Sequence, residues 1–499
     1  FGGRHVTNGV PLTNQPASSM VNALDEPLQG DSTPRLFRPR RAASPSRSEP
    51  ITWRTLTNSR QDVLGTPPRR LKSESLEVPE LILAPGTSQE NNADIDDGKD
   101  VTKDVSAESA EEMSSCETIF NLANTMMGSG VLAVPYAFRL TSYWAIPLLL
   151  LVVAVTAFTA SLIGEALKMA RHRGGLGVAS GQRDFTFLAE VSCGQRGKYV
   201  VAVTTALELW VAVVTFLVMS GSNVQGLLGV DEVHAVLVCT LLSSIMVFIP
   251  LRVYAYVSLA SLVALLIASI AFVADLMMTP RWSFPEPKDP EIGDLFRAYG
   301  LFIFCFAGHP CFPALHEGMR HVRHWTGCVA LSFIIAALYY VALGLAAFIV
   351  LGSDVHPVFT KDMRSGWLGK LTVAFFAVKI QLTTPVLLRV VLVSMQIWPE
   401  GMATRREFLQ SFLPAAIVIF FTGASACFLA QKVAALASFA GALLVNLTSV
   451  VIPAVMYMRL TVSSKTSSNE VKSVLCSFLI VFGLVTAVVG TYLAVVDMG

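Results

Sequence analysis

The stretch Phe120-Asn121-Leu122-Ala123-Asn124-Thr125-Met126-Met127-Gly128-Ser129-Gly130-Val131-Leu132-Ala133-Val134-Pro135-Tyr136 decides how this chain is read. It is apolar enough to enter a bilayer. It also carries Gly-x-Gly and a proline where a spanning helix would reach mid-membrane, so the helix is expected to break there. Free backbone N–H and C=O groups at that depth are tolerated only where they face protein or a water-filled cavity. The break is therefore a candidate binding site, and the chain is expected to move a small polar solute.

Ten further apolar stretches follow. A bilayer core about 30 Å thick takes roughly 20 apolar residues per helix, which places spans near 119–138, 144–167, 200–222, 236–250, 254–278, 295–313, 325–351, 368–397, 408–429, 433–458 and 471–495. Of the 499 residues 53% are hydrophobic and 15% charged, far from the balance of a soluble globular chain. The expected fold class is an all-α polytopic membrane protein with about 11 transmembrane helices. The alternating pattern of a membrane β-barrel is absent.

Basic residues in the short loops set the orientation. With the N-terminus in the cytosol, about fifteen of them fall on that side, among them Arg171, Arg183, Arg320 and Lys472. About eight fall opposite, among them Arg139, Arg297 and Lys361. The C-terminus is then luminal or extracellular. Seven of the eight cysteines lie in or beside spans and Cys193 in a cytosolic loop, so no disulfide framework is expected. The net charge of +1 gives no nucleic-acid footprint, and no phosphate loop is present.

Two domains are expected: a disordered cytosolic tail over 1–115 and a transmembrane transporter domain over 116–499. The tail is rich in Ser, Pro and charged residues and cannot bury enough apolar surface to offset chain entropy. A basic stretch from Arg35 to Lys72 would touch anionic lipid, and an acidic one runs from Glu74 to Glu112. Ser44 and Thr66, each before a proline, are candidate sites for a kinase. Glu77, Leu81 and Ile82 resemble an acidic dileucine sorting signal read by an adaptor, which would send the protein to vacuolar, lysosomal or other endosomal membranes rather than the plasma membrane. An incidental apolar patch is the alternative. The chain starts at Phe1 without Met or an apolar signal segment, so preceding residues are expected.

A second interrupted run, Phe304-Cys305-Phe306-Ala307-Gly308-His309-Pro310-Cys311-Phe312-Pro313, lies in the sixth span. Breaks in spans one and six mark an inverted five-plus-five repeat. Half-helix N-termini would offer N–H groups to a carboxylate, and half-helix C-termini carbonyls to an ammonium. An α-amino acid carries both charges. Proline kinks that serve only helix packing are the alternative.

The first-span run resembles the amino acid/auxin permease superfamily, above all its sodium-coupled neutral amino acid transporters. The sixth-span run is more similar to that superfamily's vacuolar amino acid transporters. Lys379-Ile380-Gln381-Leu382-Thr383-Thr384-Pro385 in the eighth span resembles both branches, with Lys379 fitting the vacuolar one. The resemblance implies a LeuT-like fold of ten core helices plus one and cation-coupled amino acid transport. It implies substrate contacts at Met127, Gly128, Ser129, Gly130, Ala307, Gly308 and His309. Asn124 and Thr383, beside Thr384, match positions associated with sodium in the sodium-coupled branch, and oxygen ligands suit such a cation. Lys379 lies one turn before Thr383, where an ammonium would take sodium's place or itself carry the proton. Coupling to H+ and to Na+ both stay open, and no cofactor or further metal is expected.

Intramembrane ionisable groups are functional candidates by default. Glu208 sits deep in the third span, as a proton carrier, a partner of Lys379, or half of a structural ion pair. Glu165 and Asp275 lie near span ends, where they would reach water. His309 would titrate beside the substrate or simply bond a backbone group. Asn446 and Ser129 would be polar packing residues. The leading reading is a secondary active transporter of neutral amino acids working by alternating access. Its rival is an amino acid sensor signalling through the tail. No nucleophile–base pair or metal cluster suggests an enzyme.

Overall fold

The computed structural model describes residues 113–175, 178, 182–248, 251–278, 284–352, 355–363, 366–395, 397, 405–462 and 467–499. The tail, with Ser44, Thr66, Glu77, Leu81 and Ile82, lies outside them. Among the described residues the chain is helical, and nine helices are long and apolar enough to cross a membrane. A shorter apolar helix, Glu232–Met246, stands at the fourth span.

The first span is α1, Ser115–Met126, and α2, Val134–Thr141, with a 3-10 turn at Ser129–Ala133 between them. A capping box starts α1: Ser114 Oγ accepts from Glu117 N and Glu117 returns a bond to Ser114 N. That backbone donor holds the exposed Glu117 carboxyl below the usual range. Next come α3, Ala145–Ala170, and α4, Phe185–Leu228. Gly194, at φ +71°, kinks α4 and sets its first turns apart from the third span. Then come α5, Glu232–Met246, and α6, Leu251–Met277. The sixth span is α7, Ile292–Cys305, a 3-10 turn at His309–Cys311, and α8, Phe312–Glu317. It is followed by α9, Trp325–Leu351, α10, Trp367–Ser394, and α11, Arg405–Phe428. The tenth span is α12, Val433–Phe439, two π-helical stretches at Ala440–Val445 and Leu447–Val451, and α13, Ile452–Thr461. Helix α14, Ser467–Met498, ends the chain.

Burial divides centre from rim. The tenth span is 78% buried and the sixth 67%, against 28% for α11 and 33% for α14. The rim exposes large apolar side chains such as Leu241, Ile270, Phe420 and Val488, as suits a hydrocarbon solvent. Neighbours repeat with an offset of five spans. Span one packs on seven as six packs on two, and five packs on eight as ten packs on three. Five spans per unit is an odd number, so successive units face the membrane oppositely.

Contacts at the helix ends join members of the same loop set. On the tail side, Glu317 at the end of α8 receives Arg171 at 2.7 Å and Arg183 at 3.0 Å, and its side chain is only 3% exposed. Glu165 pairs with Lys472 at 2.6 Å and its side chain stays partly exposed, so it reaches the span end as an ion-pair partner. Met113 is bound on both faces of its backbone, donating to Gly318 O at 2.8 Å and accepting from Arg320 N at 2.9 Å. The far side holds Arg139 on Val355 O at 2.8 Å, Arg297 on Asp497 at 2.7 Å and Lys361 on Glu232 at 3.1 Å. Asp275 is buried rather than turned to water, beside the buried Phe272 and Leu276 on the same helix. All eight cysteines are free thiols.

Candidate substrate-binding and ion-coupling site

Both interruptions read from the sequence are present, and they lie side by side. Helix α1 gives way at Met127, whose N–H still reaches Ala123 O at 2.9 Å. Gly128 then turns the chain at φ −88° and ψ −147°, and Pro135 opens α2 in the helical turn where its missing N–H costs nothing. In the sixth span, Gly308 takes φ +135°, a conformation that only glycine adopts without strain. A Cβ on Gly308 would stand 2.6 Å from Thr125 Cγ2 of the first break. A Cβ on Gly130 would stand 2.9 Å from Cys305 Sγ and 3.0 Å from Cys305 Cα. These glycines let two backbones approach where larger residues would hold them apart.

Met127, Gly128, Ala307 and Gly308 are half-buried at this junction, and Gly130 is buried. The Ser129 side chain lies outside the described residues, although its backbone begins the 3-10 turn. Phe216 of α4 comes within 3.6 Å of where a Gly128 Cβ would be, so it walls the first break. Nothing in an apolar third span singles out that phenylalanine beforehand.

His309 is fully buried and turned to α3, its Nε2 lying 3.0 Å from Thr156 O and 3.3 Å from Thr159 Oγ1. Of the two readings for this residue, the backbone hydrogen bond is the one the geometry shows. That bond puts the ring proton on Nε2 and leaves Nδ1 without a partner among the described residues.

The ion-coupling candidates separate into two places. Lys379 and Thr383 meet on α10, with Nζ 3.3 Å from Thr383 Oγ1. Ser261 of α6 joins them, 3.0 Å from Thr383 Oγ1 and 3.3 Å from Lys379 O. Lys379 is buried, and no carboxylate lies within ion-pair distance of it among the described residues. Thr384 donates back to Ile380 O at 2.8 Å, and no hydrogen bond joins it to this group among the described residues. Asn124 is half-buried, and no hydrogen bond joins it to this group among the described residues.

Glu208 lies elsewhere, buried on α4 beside Thr448 of the tenth span and Cys311 of the sixth. Its Oε2 has no partner among the described residues, and no ion pair connects it with Lys379. Asn446 holds the tenth span, bonded to Tyr299 at 3.0 Å, Gly483 O at 2.7 Å and Thr486 at 3.0 Å. That satisfied network fits the packing role read from the sequence.

A family model described as "Transmembrane amino acid transporter protein" matches residues 111–496. The chain belongs to that family. Among curated proteins it is similar to three from Arabidopsis thaliana. Amino acid transporter AVT1J is 23% identical over 81% of this chain and 95% of that protein. Amino acid transporter AVT1D is 22% identical over 76% and 69%. Amino acid transporter AVT1I is 21% identical over 79% and 98%. Among solved structures, an Eremococcus coleocola manganese transporter aligns with 79% of this chain and 99% of its own at 10% identity, with a TM-score of 0.41. Family membership makes the chain a multi-pass amino acid transporter and not an enzyme.

Proposed function

We propose that this chain is a cation-coupled secondary active transporter of neutral amino acids, alternating its access around the two breaks. One observation carries the reading: two glycine-built interruptions, five spans apart in sequence, come into contact within a member of an amino acid transporter family. Half-helix ends there offer N–H groups to a carboxylate and carbonyls to an ammonium. The side chains at the junction are uncharged, which suits a neutral substrate.

Two coupling sites are proposed, with the ion H+ or Na+. At one, Lys379 with Thr383 and Ser261 stands where a cation would otherwise bind, and Asn124 joins it only in another state of the cycle. At the other, Glu208 carries a proton. Burying an unpaired charge is costly, so both groups are places where charge is exchanged rather than stored. The tail over 1–115 faces the cytosol and directs the protein to a vacuolar or lysosomal membrane through Glu77, Leu81 and Ile82. The resemblance of the sixth and eighth spans to vacuolar transporters supports that membrane. A Leu81→Ala/Ile82→Ala chain retained in the same compartment would overturn the sorting role.

The deciding test is uptake of radiolabelled amino acids by proteoliposomes under an imposed sodium gradient and, separately, an imposed proton gradient. Accumulation under one gradient identifies the coupling ion. Binding without accumulation under either would replace the transporter by an amino acid sensor.

A further inference from the structure

Helices α1 and α7 both end at the junction of the breaks, and a helix end leaves its last carbonyls without intrahelical partners. They carry the negative end of each helix dipole, and at membrane depth no bulk water answers them, although Met126 O already accepts from Gly128 N at 2.7 Å. The structure brings two of these carbonyls to one point. Tyr340, midway along α9, donates its hydroxyl to Met126 O at 2.8 Å and lies 3.3 Å from Cys305 O. Met126 is the last residue of α1 and Cys305 the last of α7.

The Tyr340 ring is fully buried and rests edge-on against Phe306 at 5.5 Å between centroids. Its helix follows α1 along one face. Ser332, two turns earlier, donates to Ile119 O at 3.1 Å, and Cys328, a turn before that, approaches Ser115 O at 3.7 Å. Those contacts hold α1 alone. Tyr340 joins the same face to the sixth span by a hydrogen bond, where Phe333 and Trp325 reach it through ring contacts with Phe306 and Phe312.

We propose that Tyr340 is a positioning residue for transport, tying the carbonyl ends of the two half-helices together through one shared hydroxyl proton. A hydroxyl has a single hydrogen, so the bond is strong to one carbonyl and weak to the other. Motion of α1 away from α7 shifts it from a bridge to a single bond. Two convergent helix C-termini would otherwise call for a cation, and a fixed neutral donor from α9 stands there instead. The substrate thus meets breaks already aligned with each other. The inference rests on the transport reading for its role, but the geometry is testable without transport.

Tyr340→Phe removes the hydroxyl and keeps the ring on Phe306. Hydrogen–deuterium exchange of the full chain in lipid nanodiscs is expected to speed up about tenfold in peptides covering both 123–131 and 303–311, the ratio that loss of one buried hydrogen bond gives. Uptake into proteoliposomes is expected to show KM raised by a similar factor with Vmax little changed, because the substrate must now align the breaks itself. Tyr339→Phe, which removes a bond from the adjacent tyrosine to Ser269 of α6 at 2.9 Å, is expected to leave both measurements alone. Unchanged exchange at either break in Tyr340→Phe overturns the bridge. A fall in Vmax at constant KM overturns the positioning role and leaves a packing residue. No uptake by the unmodified protein would instead defeat the transport reading, and exchange would still decide the bridge.

Discussion

The two breaks look alike in sequence and are held by different physics. In the sixth span the interruption is dictated by backbone conformation, since Gly308 sits at φ +135°. Any side chain there would also meet Thr125. In the first span Gly128 has a negative φ, and a Cβ would find its first neighbour, Phe216, at an ordinary 3.6 Å. Neither strain nor crowding requires glycine at that position. Glycine is therefore required at Gly308 by conformation and at Gly130 by the approach of Cys305, whereas at Gly128 neither demands it. The first two positions serve folding, and Gly128 is left for the proposed substrate contact.

That contrast is easiest to break at Gly308. Gly308→Val combines a disfavoured backbone with a 2.6 Å contact, and is expected to cost roughly 2–6 kcal/mol, read as a fall in thermal midpoint together with loss of uptake. Gly130→Val is expected to come next, at about 1–3 kcal/mol, because Cys305 Cα belongs to backbone that cannot rotate away. Cys305→Gly in the same chain should recover part of that loss, and no recovery would mean the two helices do not limit each other there. Gly128→Val should leave the thermal midpoint nearly unchanged and abolish uptake. Normal uptake by that variant would remove the substrate from the first break. The smallest effect on folding is expected from Lys379→Ala, which deletes a buried charge without breaking an ion pair. Its signature is an altered pH dependence of uptake, and an unchanged profile would exclude Lys379 from coupling.

Sequence reading reached the breaks because glycine and proline act locally: each changes the backbone where it stands, whatever the fold around it. The apolar runs were legible for a similar reason, since a bilayer imposes length on every span. Partnerships were not legible. Lys379 and Glu208, two rare charges in apolar surroundings, invited pairing, yet α10 and α4 carry them to separate neighbours. Tyr340 was passed over because an aromatic in an apolar helix reads as packing, and its worth depends on two carbonyls 214 and 35 residues away. His309 read equally well as a titrating group or a bonded one until Thr156 appeared beside it.

The closure on the tail side uses two kinds of fastening, and they respond to different conditions. Glu317 is held by Arg171 and Arg183, and the Arg171 side chain remains 34% exposed, so dissolved ions compete for that contact. The Met113 bridge to Gly318 and Arg320 is made of neutral peptide groups, which ions scarcely screen. Raising ionic strength therefore acts first on the exposed Arg171 arm of that clasp, while the more buried Arg183 arm and the first span's grip on the following loop are screened little. Salt becomes a dial that turns one arm of the closure and scarcely touches the rest.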